Sequence, residues 1–357
     1  MTQTPSPAPI DAAPRPSRWR NLLAQPVLWP ALTLALLLAG NGVFNAGFLT
    51  LEWRDGRVFG TLVDIANRAA PLALVSLGMT LVIAVRGLDI SVGAVLAIAA
   101  TVAAWTIAHV GVGTGPWPLL AAIGLALVVA ALCGAWNGLL VVKAGMQPII
   151  ATLILMVAGR GIAQLLSGGQ ILTIYYPPYA FLGNGYLFGL PFSLFVVAAV
   201  FVALSLLMHR SALGLFVRAI GHNPLAAQVA GVRAGTITLA LYVFCGVSAG
   251  LAGLLVSSNV ASADANNAGQ LLELDAILAV SLGGTALGGG RFSLAGSLVG
   301  ALIIQTLTTT IYAIGLPPQI NLVVKAVLVF LVLLLQSAAF RAQVVGWIGA
   351  RPAESGR

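Results

Sequence analysis

The stretch AIGHNPLAAQVAGV, residues 219–232, is a polar interruption between two long apolar runs, 191–209 and 236–258. It carries its own helix-start signal. Asn223 can accept a bond from a free N–H of a first helical turn. Pro224 suits the next position, where a missing N–H loses nothing. Leu225, Val229 and Val232 then fall near one face, with His222, Gln228 and Arg233 off it. Ala226, Ala227 and Ala230 keep the helix thin, and Gly231 can end it in a left-handed cap. Arg218 and Arg233 flank the stretch. A two-turn helix in a basic loop between spans reads as a docking handle. A helix lying on the lipid interface is the competing reading, but that calls for stronger basicity and an interfacial Trp.

The flanking runs are typical of the whole chain. Of 357 residues, 59% are hydrophobic and only 7% charged, against about a quarter charged in soluble domains. Lipid is the solvent for most side chains. It offers no partners to backbone N–H and C=O groups, so each crossing must be a helix. At about 20 residues per crossing, the apolar runs give candidate spans 27–44, 69–85, 88–109, 118–142, 147–166, 191–209, 236–258, 275–288, 294–314 and 317–337. The expected fold is all-α: a polytopic transmembrane bundle of about ten spans. Span 275–288 is too short to cross unaided and reads as a partial or re-entrant helix. Residues 1–25 are polar and Pro-rich and read as a disordered cytoplasmic tail. Residues 26–340 form the transmembrane domain, with the loop 210–235 inside it, and 341–357 a second cytoplasmic tail. Val27–Phe44 reads as an uncleaved first span.

Charge placement orients the bundle. With both termini cytoplasmic, that side receives Arg15, Arg18, Arg20, Arg86, Lys143, Arg210, Arg218, Arg233, Arg291, Arg341, Arg351 and Arg357. The other side receives Arg54, Arg57 and Arg68, beside Glu52, Asp55 and Asp64. This asymmetry fits the positive-inside rule and puts 219–232 in the cytoplasm. The net charge of +8 is therefore topological and implies no nucleic acid. The external side carries the connections 45–68, 167–190 and 259–274, a contact surface for a delivery protein.

Several chemistries are missing. Neither Lys143 nor Lys325 sits in a phosphate-binding Gly-Lys-Ser/Thr motif; each is followed by alanine. The run Gly283–Gly290 (GGTALGGG) lacks the lysine and reads as a tight turn with close helix packing. His109, His209 and His222 share no ligand spacing, and Cys133 and Cys245 read as small buried hydrophobes. No metal, cofactor or catalytic group is expected in this chain. Residues 77–100 and 278–303 share a plan: an apolar run, a Gly break with Arg, and an apolar run opening on Ser or Gly. Two halves built alike suit a transporter.

The segment AIGHNPLAAQVAGV resembles the cytoplasmic coupling segment of sugar-importing ABC permeases of the ribose, xylose, arabinose and galactose group. The resemblance continues in MTLVIAVRGLDISVGAVLAIAA (Met79–Ala100), similar to the group's Gly-(Leu/Ile)-Asp-(Leu/Ile)-Ser-Val-Gly signature. It extends through Asn137–Thr173 and Ala263–Phe292, where ADANNAG with LELDAILAV looks most like the galactofuranose permeases. His222 departs mildly from a family position normally held by Gly or another small residue.

The resemblance implies a division of labour: a periplasmic sugar-binding protein, two permease subunits (identical or not) in the inner membrane, and cytoplasmic ABC ATPase subunits that hold ATP and Mg. Gly221, His222, Asn223, Pro224, Ala226, Ala227 and Gly231 would then seat in the ATPase and transmit its closure. A sugar path calls for many weak hydrogen bonds; its candidates are Asn67, Arg160, Gln164, Asn266, Asn267 and Glu273. Arg160 and Gln164 share a face, with snorkelling or internal pairing as the plainer reading of the arginine. Asn137 and Asn321 suit hydroxyls or helix packing. Arg86 and Asp89 are expected to form a local ion pair that fixes the turn between them. The alternative function, an ion-coupled sugar transporter, calls for a carboxylate buried in mid-span. Asp64, Asp89, Asp264, Glu273 and Asp275 are all expected at span ends, against that alternative. No constellation supports a membrane enzyme.

Overall fold

A computed structural model describes residues 27–45, 47–110 and 116–315, together with 322–324, 326, 327, 330, 331 and 334. Its helices in chain order are α1 Leu28–Phe44, α2 Thr61–Ala84, α3 Val92–Val110, α4 Trp117–Val142, α5 Pro148–Ser167, α6 Pro177–Asn184, α7 Phe192–Arg210, α8 Leu213–His222, α9 Pro224–Val229, α10 Ala234–Asn259, α11 Leu272–Leu282 and α12 Leu294–Ala313. Among the described residues, α2, α3, α4, α5, α7, α10 and α12 are long and apolar enough to cross a membrane. The expected spans 27–44 and 275–288 correspond to the shorter α1 and α11. The last expected span, 317–337, lies only partly within the described residues, and both tails lie outside them.

Three helices form the centre. α10 packs on α4, α2 and α3, and α12 on α2 and α11. α2 and α3 are buried along most of their length, whereas α4, α5 and α7 present most of their apolar surface outward. The α4–α10 contact follows from a stripe of small residues. Ala122, Ala126, Ala130 and Gly134 recur every fourth position on α4 and are all buried. Small residues at that spacing let two backbones approach closely, which replaces the hydrophobic drive that lipid cannot supply.

The connections gather at two opposite ends, because α2 and α10 each run from one to the other. At one end lie a hairpin, β1 Glu52–Arg54 with β2 Arg57–Phe59; β3 Leu172–Thr173 paired with β6 Ser262–Ala263; and β4 Tyr186–Leu187 with β5 Leu190–Pro191. The Val58 amide donates to Gly189 O at 2.9 Å, and Arg57 lies over the Tyr186 ring. The three connections expected outside thus meet in one cap. None of these strands, nor α6 and α8, was expected from the apolar runs. At the other end meet the break after α2, the α7–α10 connection and the Gly-rich turn after α11.

Some boundaries move. The span expected over 69–85 begins at Thr61, so Asp64 and Arg68 lie on a helix rather than in a loop. The span expected over 88–109 begins at Val92, leaving 88–91 non-helical. α11, at eleven residues, is about 16 Å long. That is roughly half the hydrocarbon thickness, as the partial-helix reading requires. The repeat also has structural form: α2, break, α3 and α11, break, α12 follow the same plan, and the two breaks touch where the Gly290 amide donates to Ala84 O at 2.9 Å.

Candidate functional site: a capped handle and a polar cavity

The α8–α9 elbow is built as its sequence dictates. Leu213, Val217 and Ile220 recur at helical spacing, and the last two are buried against Leu81, Leu204 and Leu294. The Asn223 side chain accepts from the Ala226 amide at 3.1 Å, the expected N-cap, with Pro224 at the first helical position. Gly231 takes φ +84°. Its amide bonds Gln228 O at 2.9 Å and the Val232 amide bonds Ala227 O at 3.0 Å. That double closure is the Schellman arrangement. Ala227 is buried and seats α9, while Leu225 and Val229 are 74% and 91% exposed. Val232 parts from them, packing into the core rather than joining the exposed face.

Arg86 does not pair with Asp89. Its Nε donates to Gly221 O at 2.7 Å and its Nη2 to His222 O at 2.6 Å. The guanidinium therefore grips the C-terminal carbonyls of α8, where a cation is favoured. Arg86 itself sits at φ +64°, the left-handed position that closes α2, with its amide on Ile83 O and the Gly87 amide on Val82 O. Gly221 lies flat against this turn; a Cβ there would overlap the Ala84 carbonyl and the Gly290 amide. Arg218 stacks on Phe292. The handle is thus bolted to both repeat breaks.

Asp89 points the other way. It accepts from the Ser91 amide at 3.0 Å and the Ser91 hydroxyl at 2.7 Å, and Asn137 Nδ2 donates to Ser91 Oγ at 2.8 Å. Thr152 accepts from the Ile90 amide, and the Tyr242 hydroxyl donates to Leu88 O. Non-helical backbone inside a bundle needs such partners in place of water. Asn137 is accordingly a packing group. α3 then starts beside the loop before α11: a Cβ on Gly93 would overlap both Gly269 O and the Glu273 carboxylate.

A cavity of about 510 Å³ opens beside this crossing, with Arg160, Gln164, Asn266, Gln270 and Glu273 among its lining residues. Arg160 Nη1 donates to Ala268 O at 2.6 Å and Ala265 O at 3.2 Å, so it is held inward rather than snorkelling. Gln164 Nε2 donates to Asn266 Oδ1 at 2.7 Å. Asp264 organises the loop, accepting from the amides of Asn266 and Asn267 and from Asn267 Nδ2 at 2.8 Å. These bonds, that from the Asn267 side chain foremost, hold the Asp264 carboxyl below its ordinary value.

Of the six residues expected along a sugar path, Arg160, Gln164, Asn266 and Glu273 come together, and Asn267 braces their loop from behind. Asn67 does not join them. It bonds Ser193 and lines a separate cavity of about 130 Å³ with Arg68 and Asn259 near the strand-bearing end. Gln270, which lines the same cavity, was not among the expected path residues. Asp89 and Glu273 are 1% and 5% exposed, not solvated span ends, so carboxylate placement no longer separates the ion-coupled reading from the ATP-driven one. Lys325 and Asn321 lie outside the described residues. Among the described residues, no group of three or more His, Cys, Asp and Glu could hold a metal.

Comparison with known proteins decides between those readings. A family described as branched-chain amino acid transport system / permease component matches residues 61–333. The galactofuranose transporter permease protein YtfT of Escherichia coli K12 is 47% identical over 89% of this chain and 93% of its own. The fructose import permease protein FruF of Bifidobacterium longum is 34% identical over 89% of each. The ribose import permease protein RbsC of Bacillus subtilis 168 is 35% identical over 86% of this chain and 92% of its own. No solved structure matches. With its capped handle, paired helix breaks and near full-length likeness to these permeases, the chain belongs to this family of transport-system permease components.

Proposed function

We propose that this chain is the membrane-spanning subunit of an ATP-binding-cassette importer that carries a monosaccharide, galactofuranose or a related pentose or hexose, across the bacterial inner membrane. The observation that carries the reading is the 47% identity to a galactofuranose permease over nearly the full length of both chains. The exposed Leu225 and Val229 on a rigidly capped α9 support a docking role toward a cytoplasmic ATPase, which would hold ATP and Mg. The bundle of about ten spans would keep both termini in the cytoplasm. The strand-bearing cap would then face a periplasmic sugar-binding protein, and a second permease subunit would complete the path.

The solute path would run along the α5 face, past Arg160, Gln164, Asn266 and Glu273. A guanidinium two-thirds of the way along a spanning helix is costly against lipid and belongs against protein or water. Reconstitution with a cognate ATPase and binding protein, followed by uptake of labelled galactofuranose, galactose and ribose, tests the reading. ATP-dependent accumulation of one of them supports it; accumulation of none contradicts it.

A further inference from the structure

The cavity between α5 and the 264–273 loop has a composition unlike that of a passive conduit. Its lining includes the apolar Ala94, Met156, Val157 and Leu271. The rest of the lining, Gly161 aside, is polar and mixed in character. Arg160 uses Nη1 on the Ala265 and Ala268 carbonyls, which leaves the other guanidinium N–H groups, donors only, for a guest. Glu273 offers carboxylate acceptors, and the amides of Gln164, Asn266 and Gln270 offer both kinds. At about 510 Å³ the cavity falls in the range of small-molecule sites.

The polar groups are also positioned in advance. Arg160 is fixed by two carbonyls, Gln164 by Asn266, and the loop by the Asp264 turn. Glu273 is buried in the first turn of α11. Preorganised donors and acceptors cost little further ordering when a ligand arrives. Apolar side chains interleaved with donors and acceptors match a neutral ring that carries both C–H surface and hydroxyls.

We infer that this cavity is a binding station for a neutral polyhydroxylated ring, so that the permease itself selects its solute rather than only passing what a delivery protein releases. The inference rests on the sugar-import reading and adds a specific site to it. The bound ring lays C–H surface on the apolar side chains; its hydroxyls donate to Glu273 and accept from Arg160, with the three amides completing the set.

The test uses the purified full-length chain in lipid nanodiscs, without ATPase or binding protein. Titration calorimetry is run with methyl β-galactofuranoside, galactose, ribose and, as a zwitterionic control, leucine. The expected result is saturable binding of at least one sugar and none of leucine. The double variant Gln164→Leu, Gln270→Leu removes two hydrogen-bonding side chains while keeping their bulk, and is expected to weaken sugar binding roughly tenfold or more. Its thermal melt and elution profile serve as the folding check. Should the double variant misfold, Gln270→Leu alone, at an exposed position, is read instead, with an expected loss of about fivefold. Absence of saturable sugar binding, binding unaltered in the variant, or binding of leucine instead would each overturn the inference. Sugar uptake by the complete complex separates the two levels. Uptake without binding to the permease alone removes only the station, whereas absence of any sugar uptake removes the function beneath it.

Discussion

The Nη2 of Arg86 donates to the His222 carbonyl at 2.6 Å, across 136 residues of sequence. With the Nε bond to Gly221, it joins the α8–α9 elbow to the break between α2 and α3. That break leads through Ser91 and Gly93 to the loop before α11 and to Glu273 at the start of that helix. Contiguous packed parts therefore run from α9 to the cavity.

Arg86 holds a left-handed backbone position, which costs a residue with a Cβ roughly 1–2 kcal/mol. Glycine would occupy it more cheaply, so the cost is offset by what the side chain does. Arg86→Gly is expected to leave the thermal melt of the chain nearly unchanged, since backbone relief balances the lost bonds. Sugar moved per ATP hydrolysed should fall about tenfold, the effect of losing one or two charge-assisted bonds. Arg86→Lys, which cannot fork onto two carbonyls, should recover only part. An unaltered uptake-to-hydrolysis ratio in Arg86→Gly would refute the strut.

Gly221 is where α8 and the α2 end touch backbone to backbone. Gly221→Ala forces the elbow away from Ala84 and Gly290. The expected cost is about 1–3 kcal/mol of stability, read as a lower melting temperature in detergent, with loss of coupling in the assembled transporter. A melt equal to that of the parent chain would mean that the elbow does not sit as described.

The α9 cap and its exposed face separate shape from contact. Replacing Asn223–Pro224 with Gly–Gly removes the cap bond, a loss of only about a few tenths of a kcal/mol with Gly at the cap, but it frees the backbone that Pro224 fixes and so loosens the handle. Stimulated ATP hydrolysis should vanish while membrane insertion persists. Leu225→Asp with Val229→Asp leaves the cap intact but desolvates two carboxylates against any apolar groove. The ATPase should then fail to co-purify. Retained co-purification would remove this face from the docking surface.

The Asp264 turn gives a pH dependence with a definite sign. Because the folded chain holds this carboxyl below its ordinary value, chiefly through Asn267, the turn's contribution is complete above about pH 4. It fades as pH falls through the lower folded value. Hydrogen exchange across 264–271 should therefore stay protected near pH 7 and, after correction for intrinsic rates, lose protection near pH 3. Asp264→Asn should flatten the difference. Equal protection at both pH values would contradict the assignment.

Much of this was legible in residue order. The apolar runs located the crossing helices because each must satisfy its own backbone in lipid. Asn223, Pro224 and Gly231 announced the cap because their local conformations are nearly forced. The short run at 275–288 announced a half-length helix. Contacts between distant segments could not be read. Arg86 and Asp89 are three apart, and proximity in sequence favoured a pair. The left-handed turn at Arg86 instead sends one side chain to α8 and leaves the other facing Ser91. Carboxylates next to apolar runs read as solvated ends, yet the breaks before α3 and α11 draw Asp89 and Glu273 into the interior. Asn67 looked equivalent to Asn266 by residue type, and only the fold separates their ends of the bundle. α8 was hidden in a loop, although the 3–4 spacing of Leu213, Val217 and Ile220 carried its signal.

The most direct measurement is uptake into liposomes that contain this chain, an ATPase and a binding protein, beside liposomes that contain the chain alone. The account predicts that a labelled monosaccharide accumulates only in the first set, only with ATP, and not when Leu225→Asp and Val229→Asp are present. Uphill accumulation in the second set, driven by a proton or sodium gradient, would contradict it.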